Sequence, residues 1–180
     1  MSGQNYVVPP WSWADIGRLT DGLRVQFSLA DKPEFPVMEF LEIVLDQRLG
    51  AVRMEIESEE DMGDYEGLTD PNGDFIALRE DVYAKAWAGD GRARFTVAHE
   101  IGHLFLHTGR PMARASSRAN IPKFRLSEPQ ANQFAAELLM PRRFMNQLDA
   151  VHTVALRHGV SIEAARNRIL YMKESVWKAA

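Results

Sequence analysis

The chain has 180 residues, a net charge of −4 and no cysteine. That length suits one domain or a domain with a small appendage, and the missing thiols exclude a disulfide framework, thiolate metal sites and cysteine catalysis while fitting a reducing compartment. The charge is uneven: residues 1–90 carry 7 basic and 19 acidic side chains, residues 91–180 carry 14 and 6, which reads most simply as two halves that pack together and otherwise as a basic face for an acidic partner such as nucleic acid.

The opening residues, Met1 to Tyr6, have neither the basic nor the apolar region of a leader, and no apolar run approaches ~18 residues. A cytoplasmic product with no membrane span is therefore expected. Ser12 opens a helix with Asp15 at its third position and Ile16, Leu19, Leu23 and Phe27 at helical spacing. A second helix is expected from about Pro36 to Leu49, stopped by Gly50. Val52, Met54 and Ile56 alternate as in a half-buried strand, and the acidic stretch Glu57–Asp61 reads as a solvated loop. Two strand-like pieces, 65–69 and 75–78, flank the turn signal Asp70-Pro71-Asn72-Gly73-Asp74 and predict a hairpin. A short helix from Glu80 to Ala88 precedes a longer one from about Arg92 to His107, which Gly109 and Pro111 end. Residues 109–127 form a polar connector with Arg110, Arg114, Arg118, Lys123 and Arg125 and no acidic residue. It is long for a connector, so it reads either as a functional rim or as a solvated loop. Ser127-Glu128-Pro129-Gln130 has the form of a capping box for a helix that closes before Pro141. The remainder is helical, broken at His158-Gly159 and restarted at Ser161.

The chemistry lies in His99-Glu100-Ile101-Gly102-His103. Residues four apart on a helix stand one above the other, so both imidazoles can grip one zinc ion while Glu100 flanks the place of an attacking water. At this chain's composition the pattern arises by chance in roughly one sequence in a hundred. A catalytic zinc needs a third protein ligand. His107 sits about a turn too far along a straight helix, which places it beside the cleft or in packing. The extended metzincin pattern is absent, because Leu106 and Gly109 stand where glycine and histidine are required. The next helix offers Glu128 and Glu137, nine residues and about 900° apart, so they project from opposite sides. Glu128 shares its face with Ala131, Asn132 and Ala135, whose small side chains permit close packing on the histidine helix. Glu128 is therefore preferred, Glu137 is the alternative, and Asn132 is a partner for the free N–H of a ligating histidine.

These two segments, Arg94 to His103 and Ser127 to Pro141, resemble the ImmA/IrrE family of metallopeptidases, as does Arg79-Glu80-Asp81-Val82-Tyr83; one departure is Gln130, where many relatives are acidic. The resemblance implies an α+β, zincin-like fold of the Glu-zincin type, with His99, His103 and Glu128 as zinc ligands and Glu100 as general base. The resemblance covers roughly residues 65–141; with the elements before it, the chain reads as a metallopeptidase domain at residues 1–141, with N-terminal helices, a small sheet, the histidine helix and the Glu-bearing helix, before a helical C-terminal extension at 142–180. The resemblance also implies zinc-dependent endopeptidase cleavage of an intracellular protein, namely a helix-turn-helix repressor in a stress-response or mobile-element switch.

Other roles follow from the residues. The strand at 75–78 either offers an edge to an extended substrate or is an ordinary sheet member. His107, Tyr83 and His152 are the candidate transition-state donors. Residues 151–171 read as helix, glycine turn, helix. With Arg166 and Arg168 on the second helix, this is either a helix-turn-helix for DNA or, more simply, a helical pair covering the core. A DNA-binding or antitoxin-associated regulator with a structural or vestigial metal site is the alternative function.

Overall fold

The computed structural model describes residues 5–115 and 120–177. Arg118 of the basic connector lies outside them. Helix α1 (Trp13–Gln26) starts where expected, with Ser12 Oγ accepting the Asp15 N–H at 3.0 Å. The second helix is present but wound as a π-helix over Glu39–Arg48. At its end the Leu49 N–H reaches Val44 O, five residues back, at 3.0 Å. The wider turn brings Phe40 and Leu45 to one buried face, and Phe40 meets Phe27 and Phe35 edge-on at 5.0 and 5.2 Å.

A three-stranded sheet follows, ordered β2 (Arg53–Glu57), β4 (Phe75–Arg79), β3 (Gly67–Thr69). β2 runs parallel to β4, with Arg53 opposite Phe75, and β3 closes the expected hairpin antiparallel to β4, with Thr69 opposite Ile76. The strand at 75–78 therefore has no edge to offer. β4 is paired on both sides and covered on both faces, which is why its sequence reads as a continuous apolar run. The edge strands are β2 and β3, and β3 is the one that lines the cleft described below. The acidic stretch is not a plain loop: Ser58 Oγ accepts the Asp61 N–H at 3.1 Å and starts a short helix, α2 (Glu59–Met62), that buries Met62.

Helix α3 (Glu80–Trp87) leads to α4 (Gly91–His107), capped by Asp90, whose Oδ1 accepts the N–H groups of Arg92 and Ala93. α4 lies under β3 and β4 and packs most extensively against α5 (Ser127–Leu139), which in turn packs on α1. A second ribbon, β1 (Tyr6–Val7) with β5 (Ala113–Arg114), ties the N-terminus to the connector, as does Val8 N–H on Arg125 O at 3.0 Å. The capping box at α5 is not formed. Ser127 Oγ accepts the Tyr6 N–H of β1 at 3.1 Å, and the Gln130 side chain points into the interior. Tertiary partners outcompete the local cap because both side chains are buried, Ser127 at 1% and Gln130 at 0% exposure.

Helices α6 (Val151–His158) and α7 (Ile162–Ser175) are joined through Gly159 in the left-handed region, φ 60°, and Ser161 caps α7. Arg168 is turned inward, where it meets Glu137 at 2.5 Å and Met140 O at 3.0 Å, so it cannot serve as a DNA contact; Arg166 stays exposed. Three buried arginines staple the body. Arg24 donates to the carbonyls of Leu138, Leu29, Lys32 and Pro33. Burial, with the nearby Arg143 charge, lowers its pKa to about 10, so it stays cationic at neutral pH. Arg94 joins α4 to Gly159 O and Phe35 O, and Arg168 joins α7 to α5. Ion pairs Arg92–Glu66, Arg94–Glu34 and Arg143–Asp21 cross between the acidic and basic halves of the chain. This agrees with the packing reading of the charge asymmetry.

Glu137 also accepts from Arg142 at 2.9 Å, and burial of the carboxylate is outweighed by the two guanidinium groups, which hold its pKa below the ordinary carboxyl value. Removing it strands the Arg168 charge in the interior. Glu137→Ala should therefore cost about 3–5 kcal/mol in urea unfolding, with metal stoichiometry unchanged. Loss of metal without loss of stability would assign Glu137 to the ion instead.

Candidate metal centre

Helical spacing puts His99 and His103 one turn apart on α4, and the residue between them decides what can approach. A Cβ built on Gly102 would lie 3.2 Å from the Cα and carbonyl oxygen of Ala131 and 3.2 Å from Phe134 Cβ. With glycine at 102 and alanine at 131, α5 comes close enough for Glu128 to reach both imidazoles. Glu128 oxygens lie 3.3 Å from His99 Nε2 and 3.3 Å from His103 Nε2, and the two Nε2 atoms are 3.0 Å apart. These three residues form a cluster able to hold a metal ion. A tetrahedral zinc with bonds of ~2.0–2.1 Å needs ligand atoms about 3.3–3.4 Å apart, so the set fits within a few tenths of an ångström.

The hydrogen bonds around the cluster set the imidazole tautomers. Gln130 Nε2 donates to Phe124 O at 2.7 Å and Pro9 O at 3.0 Å, so its Oε1 is the atom that accepts from His107 Nε2, at 2.9 Å. His107 Nδ1 is then bare and accepts from His103 Nδ1 at 2.9 Å. That leaves the His103 Nε2 lone pair directed at the cluster. His99 Nδ1 donates to Asn132 Oδ1 at 3.1 Å, which likewise bares its Nε2. Two lone pairs 3.0 Å apart beside a carboxylate repel one another unless a cation lies among them. The pKa directions show that the cluster draws positive charge, whether a metal ion or a proton. Burial and the neighbouring His103 charge lower His107 to about 4, keeping it neutral. Burial works against a charged His99, but the Glu128 hydrogen bond and the charges of Glu100 and Glu128 outweigh it and raise that pKa. Burial also opposes ionisation of Glu128, yet the bonds from His103 and His99 hold its carboxyl well below the usual range.

Glu100, one residue on from His99, leans against the edge strand. Thr69 Oγ1 lies 2.8 Å from Glu100 Oε2 and 2.9 Å from its carbonyl oxygen. A Cβ on Gly67 would come within 2.7 Å of Glu100 Cγ, so the bare backbone at 67 is what lets the carboxylate fit. The cleft above has a volume of about 560 Å³ and is walled by residues 64–71 on one side and by His99, Glu100, His103, His107 and Glu128 on the other.

The structure thus brings His99, Glu100, His103, His107 and Glu128 to one cleft, with Asn132 behind His99. It does not bring Tyr83 or His152 there. The Tyr83 hydroxyl donates to Glu42 Oε2 at 3.2 Å away from the cleft, and His152 is exposed on α6. His107 lines the cleft, but its Nε2–H is spent on Gln130. The phenols that do line it are Tyr6 and Tyr65. No spacing rule connects position 6 to position 128; the β1–β5 ribbon carries it there. Within the connector, Met112 reaches the cleft wall, whereas the Arg110 guanidinium stacks on Trp11 at 5.4 Å.

The family model described as the IrrE N-terminal-like domain, a peptidase family, matches residues 46–170, a span that contains α4, α5 and the whole donor set. No curated protein and no solved structure significantly matches the chain.

Glu128→Ala should abolish stoichiometric zinc binding in competition with a chromophoric chelator. Asn132→Ala, which frees the His99 ring without touching the ion, should weaken it about 10–100-fold. Unchanged affinity in the second variant would show that the Asn132 contact does not orient the ligand.

Proposed function

The chain belongs to the family of the IrrE N-terminal-like peptidase domain, and from that premise we propose that it is a zinc-dependent endopeptidase acting on an intracellular protein. The observation that carries the reading is the convergence of His99, His103 and Glu128 beside Glu100 at the edge of β3. Zinc bound by this donor set would polarise a scissile carbonyl and bring the pKa of water to about 7.

The chain's own residues supply the rest. The outer edge of β3 can pair main chain to main chain with an extended segment, and the wall spans residues 64–71, enough for the interior of a polypeptide rather than only its end. The Thr69 hydroxyl fixes Glu100 beside that segment. Glu100 takes a proton from the attacking water as the C–O bond forms. It returns the proton to the leaving amine nitrogen as the C–N bond breaks. The phenols of Tyr6 and Tyr65 are the donors available to the developing oxyanion.

For the substrate we carry over the family expectation, a helix-turn-helix repressor cut in a stress-response or mobile-element switch. Among the described residues no helix is long and apolar enough to cross a membrane.

Glu100→Gln should retain zinc while peptide hydrolysis falls about 10²–10⁴-fold, measured on a candidate helix-turn-helix repressor incubated with the zinc-loaded protein. Native cleavage by that variant would remove Glu100 as the base and with it the mechanism.

A further inference from the structure

Among the described residues five carboxylates line the cleft, those of Asp64, Glu66, Asp70, Glu100 and Glu128, and no lysine or arginine does. Glu128 belongs to the donor set and Glu100 stands beside it, where a bound divalent ion would offset their charge. The other three follow the wall beside β3. Asp70 is engaged in its own turn, its Oδ2 accepting the N–H groups of Asn72 at 2.9 Å and Asp74 at 3.2 Å. Asp64 and Glu66 remain.

Glu66 is a fixed charge. Thr96 Oγ1 donates to its Oε2 at 3.0 Å and Arg92 to its Oε1 at 2.7 Å. Partial burial works to raise its pKa, but these bonds outweigh it and keep the carboxyl ionised. The Arg92 side chain is 69% exposed, so solvent screens most of the compensation it offers. Asp64 is exposed, and its carboxylate has no hydrogen bond or ion pair among the described residues. Between and beside the two acids stand Tyr65 and Leu68, each nearly half exposed at 48% and 46%. An acidic wall interrupted by an aromatic ring and a leucine suits a side chain with an apolar stem and a cationic head: the stem covers Tyr65 and Leu68 while the head meets the carboxylates.

We propose that Asp64 and Glu66 form a subsite that selects a lysine or arginine side chain in an extended substrate segment laid along β3. The proposal rests on the peptidase reading for the identity of its substrate but concerns recognition alone. An acidic side chain at the same place meets the unpaired Asp64 carboxylate and a Glu66 carboxylate that an exposed Arg92 offsets only in part, and a neutral one leaves Asp64 without a partner.

The test uses the zinc-loaded full chain carrying Glu100→Gln, titrated with blocked fluorescent hexapeptides that differ only at one central position: lysine, arginine, norleucine or glutamate. The lysine and arginine peptides should bind about tenfold more tightly than the norleucine peptide, with the glutamate peptide weakest. The advantage should shrink in 1 M salt, fall several-fold on adding Asp64→Asn, and pass to the glutamate peptide with Asp64→Lys. Position 64 is exposed and unpartnered, so these changes do not threaten folding, which thermal unfolding verifies. Equal affinities for the four peptides, no binding of any, or a preference untouched by both Asp64→Asn and Glu66→Gln would overturn the subsite. Equal cleavage of all four by the unsubstituted protein would remove the subsite and leave the peptidase. A charge preference in binding with no cleavage of any substrate would do the reverse.

Discussion

The approach of α5 to α4 at Gly102 is the constraint on which the site depends. Any side chain at 102 would push Ala131 away by several tenths of an ångström, and Glu128, three residues before Ala131, would move with it. The donor atoms sit 3.0–3.3 Å from one another, so there is little slack before the set ceases to fit one small ion. The same approach seats Asn132 behind His99 and Gln130 behind His107. One backbone contact therefore positions both the candidate ligand from the second helix and the groups that orient the two histidines on the first.

Polar order in this interior is set by groups with a fixed donor count. Gln130 has two amide hydrogens, both taken by carbonyls, and that fact propagates through His107 to bare the His103 nitrogen. The buried arginines act on the same principle at larger scale. Each gathers carbonyls or a carboxylate from segments distant in sequence, where a lysine could offer only a point charge. Such groups are costly to bury without partners and specify the arrangement once all partners are present.

Much of this was legible in the chain because it is local. Caps at Ser12 and Ser161, the hairpin turn at Asp70–Asp74 and the helical phase of His99 and His103 depend on a few consecutive residues. Helical phase also separated Glu128 from Glu137, since two groups on opposite sides of one helix cannot serve the same ion. The structure gives Glu137 its own buried partners, Arg168 and Arg142. Other readings failed where a local pattern had two uses. Ser127-x-x-Gln130 is a capping box by spacing, but β1 claims the serine and His107 claims the glutamine. Arg168 reads as a surface cation on a helix-turn-helix until α7 turns it onto Glu137.

Sequence alone determined the pair of histidines, the glutamate beside them, the preferred candidate for a third ligand and the helices and hairpin that bear them, because each follows from the period of a helix or the chemistry of a turn. Tertiary structure decided which strand is an edge, which phenols and carboxylates share the cleft, and which side chains orient the ligands. Those questions concern residues as far apart as Tyr6, Glu66 and Glu128. No period connects such positions; only the packing of α4, α5 and the small sheet places them within reach of one another.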